Sequence, residues 1–200
     1  MNLIIAKEKE NTKLPIVMRA ALRLFMKKGI DGTTIKEIAR EANVAEGTLY
    51  RHFKSKDDLA WHLFRAHLQQ FTQELESKVF AEPTTEGRVR RFVEASFAAY
   101  ESDPELYTYL ILREHSELDK YAREDTHPGH IVTRIIAEGQ KSGEIKAGDP
   151  LILGSLFVGG VIRVAVVKMY GSIREDLTKY AGYVADSIWE MLKFERTTNP

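Results

Sequence analysis

Cysteine is absent from this 200-residue chain. No disulfide and no thiolate metal site can form, and the composition fits a cytoplasmic protein. Long apolar runs are scarce as well. Leu3–Ala6 is far too short for the core of a signal peptide. The longest run, Leu151–Ile162, is followed at once by Arg163 and then Lys168. A membrane span needs roughly 18 or more apolar residues, so a helix of a soluble protein is expected there and no membrane partner. Motifs for chemistry are missing too: there is no Gly-rich phosphate loop, nucleophile elbow or paired-carboxylate pattern. Of the histidines, His62, His67, His115, His127 and His130 invite a metal reading. His127 and His130 straddle Pro128 with no patterned carboxylate nearby, so a surface pair is expected instead. No catalytic residue, metal or cofactor is expected, and the chain is not expected to be an enzyme.

What is present points to a helical protein with one polar module. Hydrophobic residues make up 44% of the chain, enough for a sizeable core in one or two domains. Net charge is zero but uneven: residues 1–59 carry 12 Lys/Arg against 8 Asp/Glu. The first segment is therefore the one that would approach a polyanion. Lys7, Lys9 and Lys13 alternate with Glu8 and Glu10, and the arm 1–13 reads as a flexible, solvated tail. Within residues 33–59, Thr34 and Glu37 have capping-box spacing and should start a short helix with Ile38 and Ala42 on one face. Asn43 tolerates a left-handed backbone and can make a tight turn. Val44 and Leu49 can pin a second short helix that presents Glu46, Gly47, Thr48, Tyr50 and His52 outward. Two short helices crossed by a tight turn are how a helix-turn-helix puts one helix in the major groove. Ser55-Lys56-Asp57-Asp58 then caps a further helix, with Lys56 and free backbone N–H groups available to phosphate.

The string resembles the N-terminal domain of the TetR family of bacterial transcriptional repressors. Thr33, Thr34, Ile38, Ala39, Ala42, Val44, Gly47, Thr48, Leu49, Tyr50, His52, Phe53, Ser55, Lys56 and Leu59 match the family pattern at fixed spacing. The match covers about a third of the chain; the remainder is similar in layout. Asn43 stands where glycine is usual, and Ala45 replaces a serine that would cap the recognition helix, a loss of about 1 kcal/mol. The resemblance implies a DNA-facing set of Thr33, Thr34, Lys36, Ala45, Glu46, Gly47, Thr48, Tyr50, His52 and Lys56. In it, Lys36 is placed to reach a base edge or a phosphate, and Glu46 could accept from cytosine N4. Tyr50, His52 and Lys56 would hold phosphates and set register. Local packing for His52 and plain solvation for Glu46 are the competing readings.

Glycine, proline and capping residues divide the rest into helices, nine in all with no convincing strand. The first runs from Leu14 to Gly29, with Ile16, Ala20, Leu24 and Phe25 expected inward. A long helix from after Ser55 to Val79 carries Trp61, Phe64, Leu68, Phe71, Leu75 and Val79. Helices follow with Val89 to Tyr100 inward, from Asp103-Pro104 to Glu117, from Pro128 to Gly143, and from Asp149-Pro150 to Gly171. Ser172 with Glu175 is expected to cap the last. The expected fold is all-α: a helix-turn-helix domain over 14–59 and a helical domain over 60–200. The family resemblance assigns the second domain effector binding and dimerisation. Leu151–Tyr170, apolar nearly all round with scattered small residues, suits a two-fold four-helix bundle built by 150–194. Arg163 could pair across it with Asp186 or Glu190. An effector pocket, also implied by resemblance, is placed among Trp61, Phe64, Phe92, Phe97, Tyr100, Tyr107 and Arg113, the last facing an acidic ligand or Glu117. The function so implied is a ligand-responsive repressor, released from a near-palindromic double-stranded DNA operator by a small-molecule effector. The alternatives are a helical interaction module that has lost DNA binding and, last, an enzyme.

Overall fold

The computed structural model describes residues 13–121 and 128–194, with the side chains of 114–121 left out. The arm 1–12, His127 and the last six residues lie outside that description. Nine α-helices and one 3-10 turn account for most of it, and no strand occurs among the described residues. The chain divides into two compact units, one through His67 and one from Leu68.

The first unit opens with α1 (Leu14–Lys28), where Pro15 sits in the first turn and loses no hydrogen bond. Gly29 ends it at φ 75°, donating its N–H to the Phe25 carbonyl at 2.9 Å. The buried face is Val17, Ala20, Ala21, Leu22 and Phe25, while Ile16 is 54% exposed and Leu24 only half-buried. Ala20 and Phe25 of the expected stripe are buried, while Ile16 and Leu24 give way to Val17, Ala21 and Leu22. Ile16 and Val17 are adjacent and both apolar, so spacing alone could not choose between them. Next come α2 (Ile35–Glu41) and α3 (Glu46–His52), then the start of α4 (Lys56–Phe80). Leu49, Phe53, Leu59 and Leu63 join Ile38 and Ala39 in a small core.

In the second unit α4 continues, followed by α5 (Thr85–Ser102), α6 (Pro104–Tyr121), α7 (Pro128–Ser142), α8 (Pro150–Met169) and α9 (Ala181–Leu192). Thr84, Asp103 and Asp149 cap α5, α6 and α8 by accepting backbone N–H groups of Gly87, Leu106 and Leu151. Val89, Phe92, Val93, Phe97 and Tyr100 of α5 are all buried, as are Ile131, Ile135 and Ile136 of α7. α6 runs to Tyr121, past the expected end at Glu117, because no glycine or proline interrupts it before Pro128. The start of the last helix also differs. Ser172 and Glu175 lie in an irregular segment; Asp176 caps a 3-10 turn, Leu177–Tyr180, and α9 begins at Ala181. Glu101 accepts the Leu177 N–H at 2.8 Å, and Lys168 donates to the carbonyls of Arg174 and Glu175. Those contacts satisfy the segment locally, which a capping box at Ser172 would have duplicated. Beyond α9 the chain is stitched back: Lys146 donates to the Leu192 carbonyl at 2.9 Å and Phe194 to that of Glu144 at 2.8 Å.

α8 is not enclosed. Leu153, Gly154, Phe157, Val161 and Ala165 face the core, but Leu151, Ile152 and Leu156 are each more than half exposed. By length and composition α8 could cross a membrane.

Candidate nucleic-acid interface and apolar cavity

The backbone of the α2–α3 turn follows from its sequence. Thr34 Oγ1 accepts the Glu37 N–H at 3.2 Å, and Glu37 Oε2 accepts the Thr34 N–H at 3.0 Å. This reciprocal pair satisfies two donors that the start of α2 would otherwise leave orphaned. Lys28 of α1 reaches Glu37 Oε1 at 2.5 Å, tying α1 to α2. The Lys28 ammonium, then the Thr34 backbone and hydroxyl, hold the Glu37 carboxyl down at about 2. At the turn Asn43 adopts φ 52°, the only positive φ outside glycine among the described residues. Val44 then donates to the Ala39 carbonyl, and α3 starts at Ala45 without a side-chain cap.

The α3 surface so presented carries Glu46, Gly47, Tyr50, Arg51 and His52 exposed, with Thr48 half-buried. Tyr50 is 59% exposed, so its ring and hydroxyl are open to a partner. Lys36 on α2 and Ala45 are exposed as well. Thr34 is exposed, with its hydroxyl engaged in the capping box.

Two candidate residues make contacts within the unit that their local sequence does not signal. Thr33 is 1% exposed and its hydroxyl donates to the Gly29 carbonyl at 2.8 Å, so it anchors the α1–α2 connection and faces no DNA. Lys56 Nζ donates to the Asp31 carbonyl at 3.0 Å and lies 4.0 Å from the Asp31 carboxylate. Its ammonium thus closes the α1–α2 loop onto the start of α4. Arg51 in α3 and Lys54 just after it are exposed cations at positions that the family pattern leaves open.

The second unit holds an apolar cavity of about 50 Å³. As it stands this is well below the roughly 300–1,000 Å³ usual for small-molecule sites. Its walls come from α4 (Leu68, Phe71), α5 (Phe92, Ser96), α6, the first turn of α7 and α8. Of the residues expected around a pocket, Phe92 and Tyr107 line it. Trp61 and Phe64 belong to the first unit. Phe97 is fully buried in the core, and Tyr100 packs edge-on behind Tyr107 at 5.6 Å. Arg113 is half-buried outside the lining, and the side chain of Glu117 is outside the description. The wall residues on α8 and Ser96 were missed. Ser96 lies one helical turn beyond Phe92, and that spacing was the available signal.

Residues 17–63 match the sequence profile of bacterial regulatory proteins, tetR family. The HTH-type transcriptional regulator YhgD of Bacillus subtilis (strain 168) is 30% identical over 142 residues, 68% of this chain and 73% of that protein. The chain belongs to the TetR family. It is a DNA-binding transcriptional regulator. The fatty acid metabolism regulator protein of the same organism is 27% identical over 168 residues, 82% of this chain and 81% of that protein. Among solved TetR-like structures, FadR from Bacillus subtilis in complex with stearoyl-CoA superposes with a TM-score of 0.72 at 22% identity. That match covers 86% of this chain and 96% of that one. A TetR family regulator from Marinobacter aquaeolei VT8 gives a TM-score of 0.80 at 19% identity, covering 94% and 100%. At such identities these two likenesses concern the fold.

Proposed function

We propose that this TetR family member is a repressor that binds a near-palindromic operator as a homodimer and is released by a long-chain acyl thioester. The observation that carries the DNA half is the exposed α3 surface around Tyr50, held by an intact capping box and a left-handed Asn43 turn. Lys36 and Glu46 read base edges, while Thr34, Gly47, Thr48, Tyr50 and His52 lie against backbone, sugar or phosphate. Lys56 adds positive charge from the start of α4 and keeps the Asp31 loop in place. No such role remains for Thr33, and Ala45 contributes only its backbone.

Dimerisation is supported by α8 and α9. Gly159 and Gly160 are exposed with nothing within 4 Å of where a Cβ would stand. Glycine inside a helix costs about 1 kcal/mol against alanine, and within one subunit nothing offsets that. A second α8 crossing close by does, and it covers Leu151, Ile152 and Leu156 as well. That accounts for the apolar surface of α8 without a membrane. Asp186 is already paired with Arg90 at 2.5 Å and Glu190 with Lys193 at 2.6 Å. Arg163, exposed, would have to share one of them across the axis.

The effector reading rests on the apolar cavity together with the relative that binds stearoyl-CoA. α4 lines that cavity at Leu68 and Phe71 and begins in the DNA-binding unit at Lys56. A ligand that shifts α4 therefore changes where the heads stand. A two-fold site demands spacing of about 34–36 Å, one helical turn. Release requires the ligand to prefer the non-binding spacing, with a coupling of about 1–3 kcal/mol.

The test is operator selection from genomic fragments followed by anisotropy titration of the enriched duplex. Affinity should fall steeply with salt, as counterion release demands. Lys56→Ala should weaken all duplexes alike, and Lys36→Ala should flatten the preference among base variants. Saturating stearoyl-CoA should weaken binding by roughly 5- to 150-fold. No enriched site would remove the repressor reading; unchanged affinity with stearoyl-CoA would remove the effector reading alone.

A further inference from the structure

Leu49 is 1% exposed and marks the side of α3 that faces the core. Successive residues of an α-helix turn by about 100°, so Gly47 and Arg51 each lie about 160° from Leu49, at the centre of the outward face. Thr48 and Tyr50 lie about 100° from it, one on either flank. A helix laid in the major groove turns the centre of its outward face to the base edges and its flanks to the phosphate walls. Gly47 has no side chain, and nothing lies within 4 Å of where its Cβ would stand. Arg51 is therefore the central position that can reach a base. It is exposed, and its Nη2 donates to Thr48 Oγ1 at 3.4 Å. That bond points the guanidinium toward the N-terminal turn of α3. Helical side chains lean that way, and it is the end of a recognition helix that meets base edges.

Resting on the operator reading above, we infer that Arg51 reads a guanine in each half-site, donating to its O6 and N7. Arginine's planar fork matches that pair of acceptors, which no other base presents in the major groove. A guanidinium has five N–H donors, so the bond to Thr48 that sets its direction is compatible with two more to a base. At adenine one donor would face the N6 amino group, and at cytosine the N4 amino group. The preference is thus built from donors left unpaired at the wrong base as much as from bonds made at the right one. Arg51 adds a base contact from the middle of α3 to those of Lys36 and Glu46, while Thr48 and Tyr50 on the flanks set register.

The experiment is anisotropy titration of the full-length protein on the enriched duplex, with each constant guanine replaced in turn by 7-deazaguanine. That base keeps its pairing and its O6 but has carbon in place of N7. Wild type should lose about fivefold or more at one guanine in each half-site, the lower end of what a two-point arginine contact is worth. Arg51→Ala should bind the natural duplex more weakly and no longer distinguish deazaguanine there. Arg51→Gln should move the preference at that position from guanine towards adenine. A variant that had merely disturbed α3 would lose affinity yet keep the deazaguanine ratio, and that result overturns the assignment. So does an enriched site with no constant guanine, or a wild type indifferent to every replacement. If indifference came with a salt slope lowered by about 0.9 in Arg51→Ala, the side chain would be a phosphate contact instead. Each of these leaves the operator reading intact, whereas selection that returns no site removes that reading and the role of Arg51 together.

Discussion

At the scale of single residues, the DNA-binding unit is held by short-range polar contacts whose strength depends on protonation. Glu37 is the clearest case. Its carboxylate receives Lys28 and the Thr34 backbone and hydroxyl, and these hold it at about 2 against an ordinary 4.5. A depressed carboxyl stabilises the folded state above its unfolded value, and that contribution disappears as pH falls through the folded one. The unit should therefore lose stability progressively between about pH 4.5 and 2. Glu37→Gln should be less stable at neutral pH and show a flatter acid limb. Tyrosine fluorescence of a 13–67 peptide is not needed; amide exchange of α2 in the full chain, followed against pH, reads it directly. If α2 protection declined with acid equally in wild type and Glu37→Gln, the cap would not be the titrating element. Lys56 shows where residue reading falls short. Its type and position mark a phosphate contact, but its bond to the Asp31 carbonyl links positions 25 apart, a pairing that no local pattern signals.

At the scale of elements, helices were legible wherever their ends carry chemistry. Pro15, Thr34, Asp103 and Asp149 mark starts, and Gly29, Gly143 and Gly171 mark ends at positive φ. Phase and irregular joints were less legible. The inward face of α1 depended on which of Ile16 and Val17 met the rest of the core, and the 3-10 turn before α9 depends on Glu101, 76 residues away. The cavity was the least legible part, because its wall is shared among five helices and aromatic content alone does not say which rings reach it. α7 supplies a sharp test of packing. An exposed helical glycine changed to alanine gains about 1 kcal/mol. At Gly139 the added Cβ would stand 2.6 Å from Ile145 Cδ1 and 2.8 Å from Thr85 Cγ2. Gly139→Ala should therefore destabilise by about 1–3 kcal/mol, the cost of overpacking. A denaturation midpoint at or above wild type would mean the α5–α7 contact yields readily.

At the scale of the whole molecule, the exposed face of α8 makes oligomeric state the main question. Gly159→Glu should give monomers or insoluble protein, and Gly159→Ala, harmless to a lone subunit, should weaken the dimer. Sedimentation at micromolar concentration checks both; a well-behaved wild-type monomer would undo the two-site operator as well as the interface. The order in which the chain is made bears on the same helix. The first unit is complete once α4 has emerged, whereas the second is closed by α9 packing on α5 and by the stitch from 144–146 to 192–194. α8 is thus covered only once the segment that finishes its unit has docked. Chains released after residue 175 should be held by chaperones far more than the full-length protein, because their α8 never gains the cover that α9 completes.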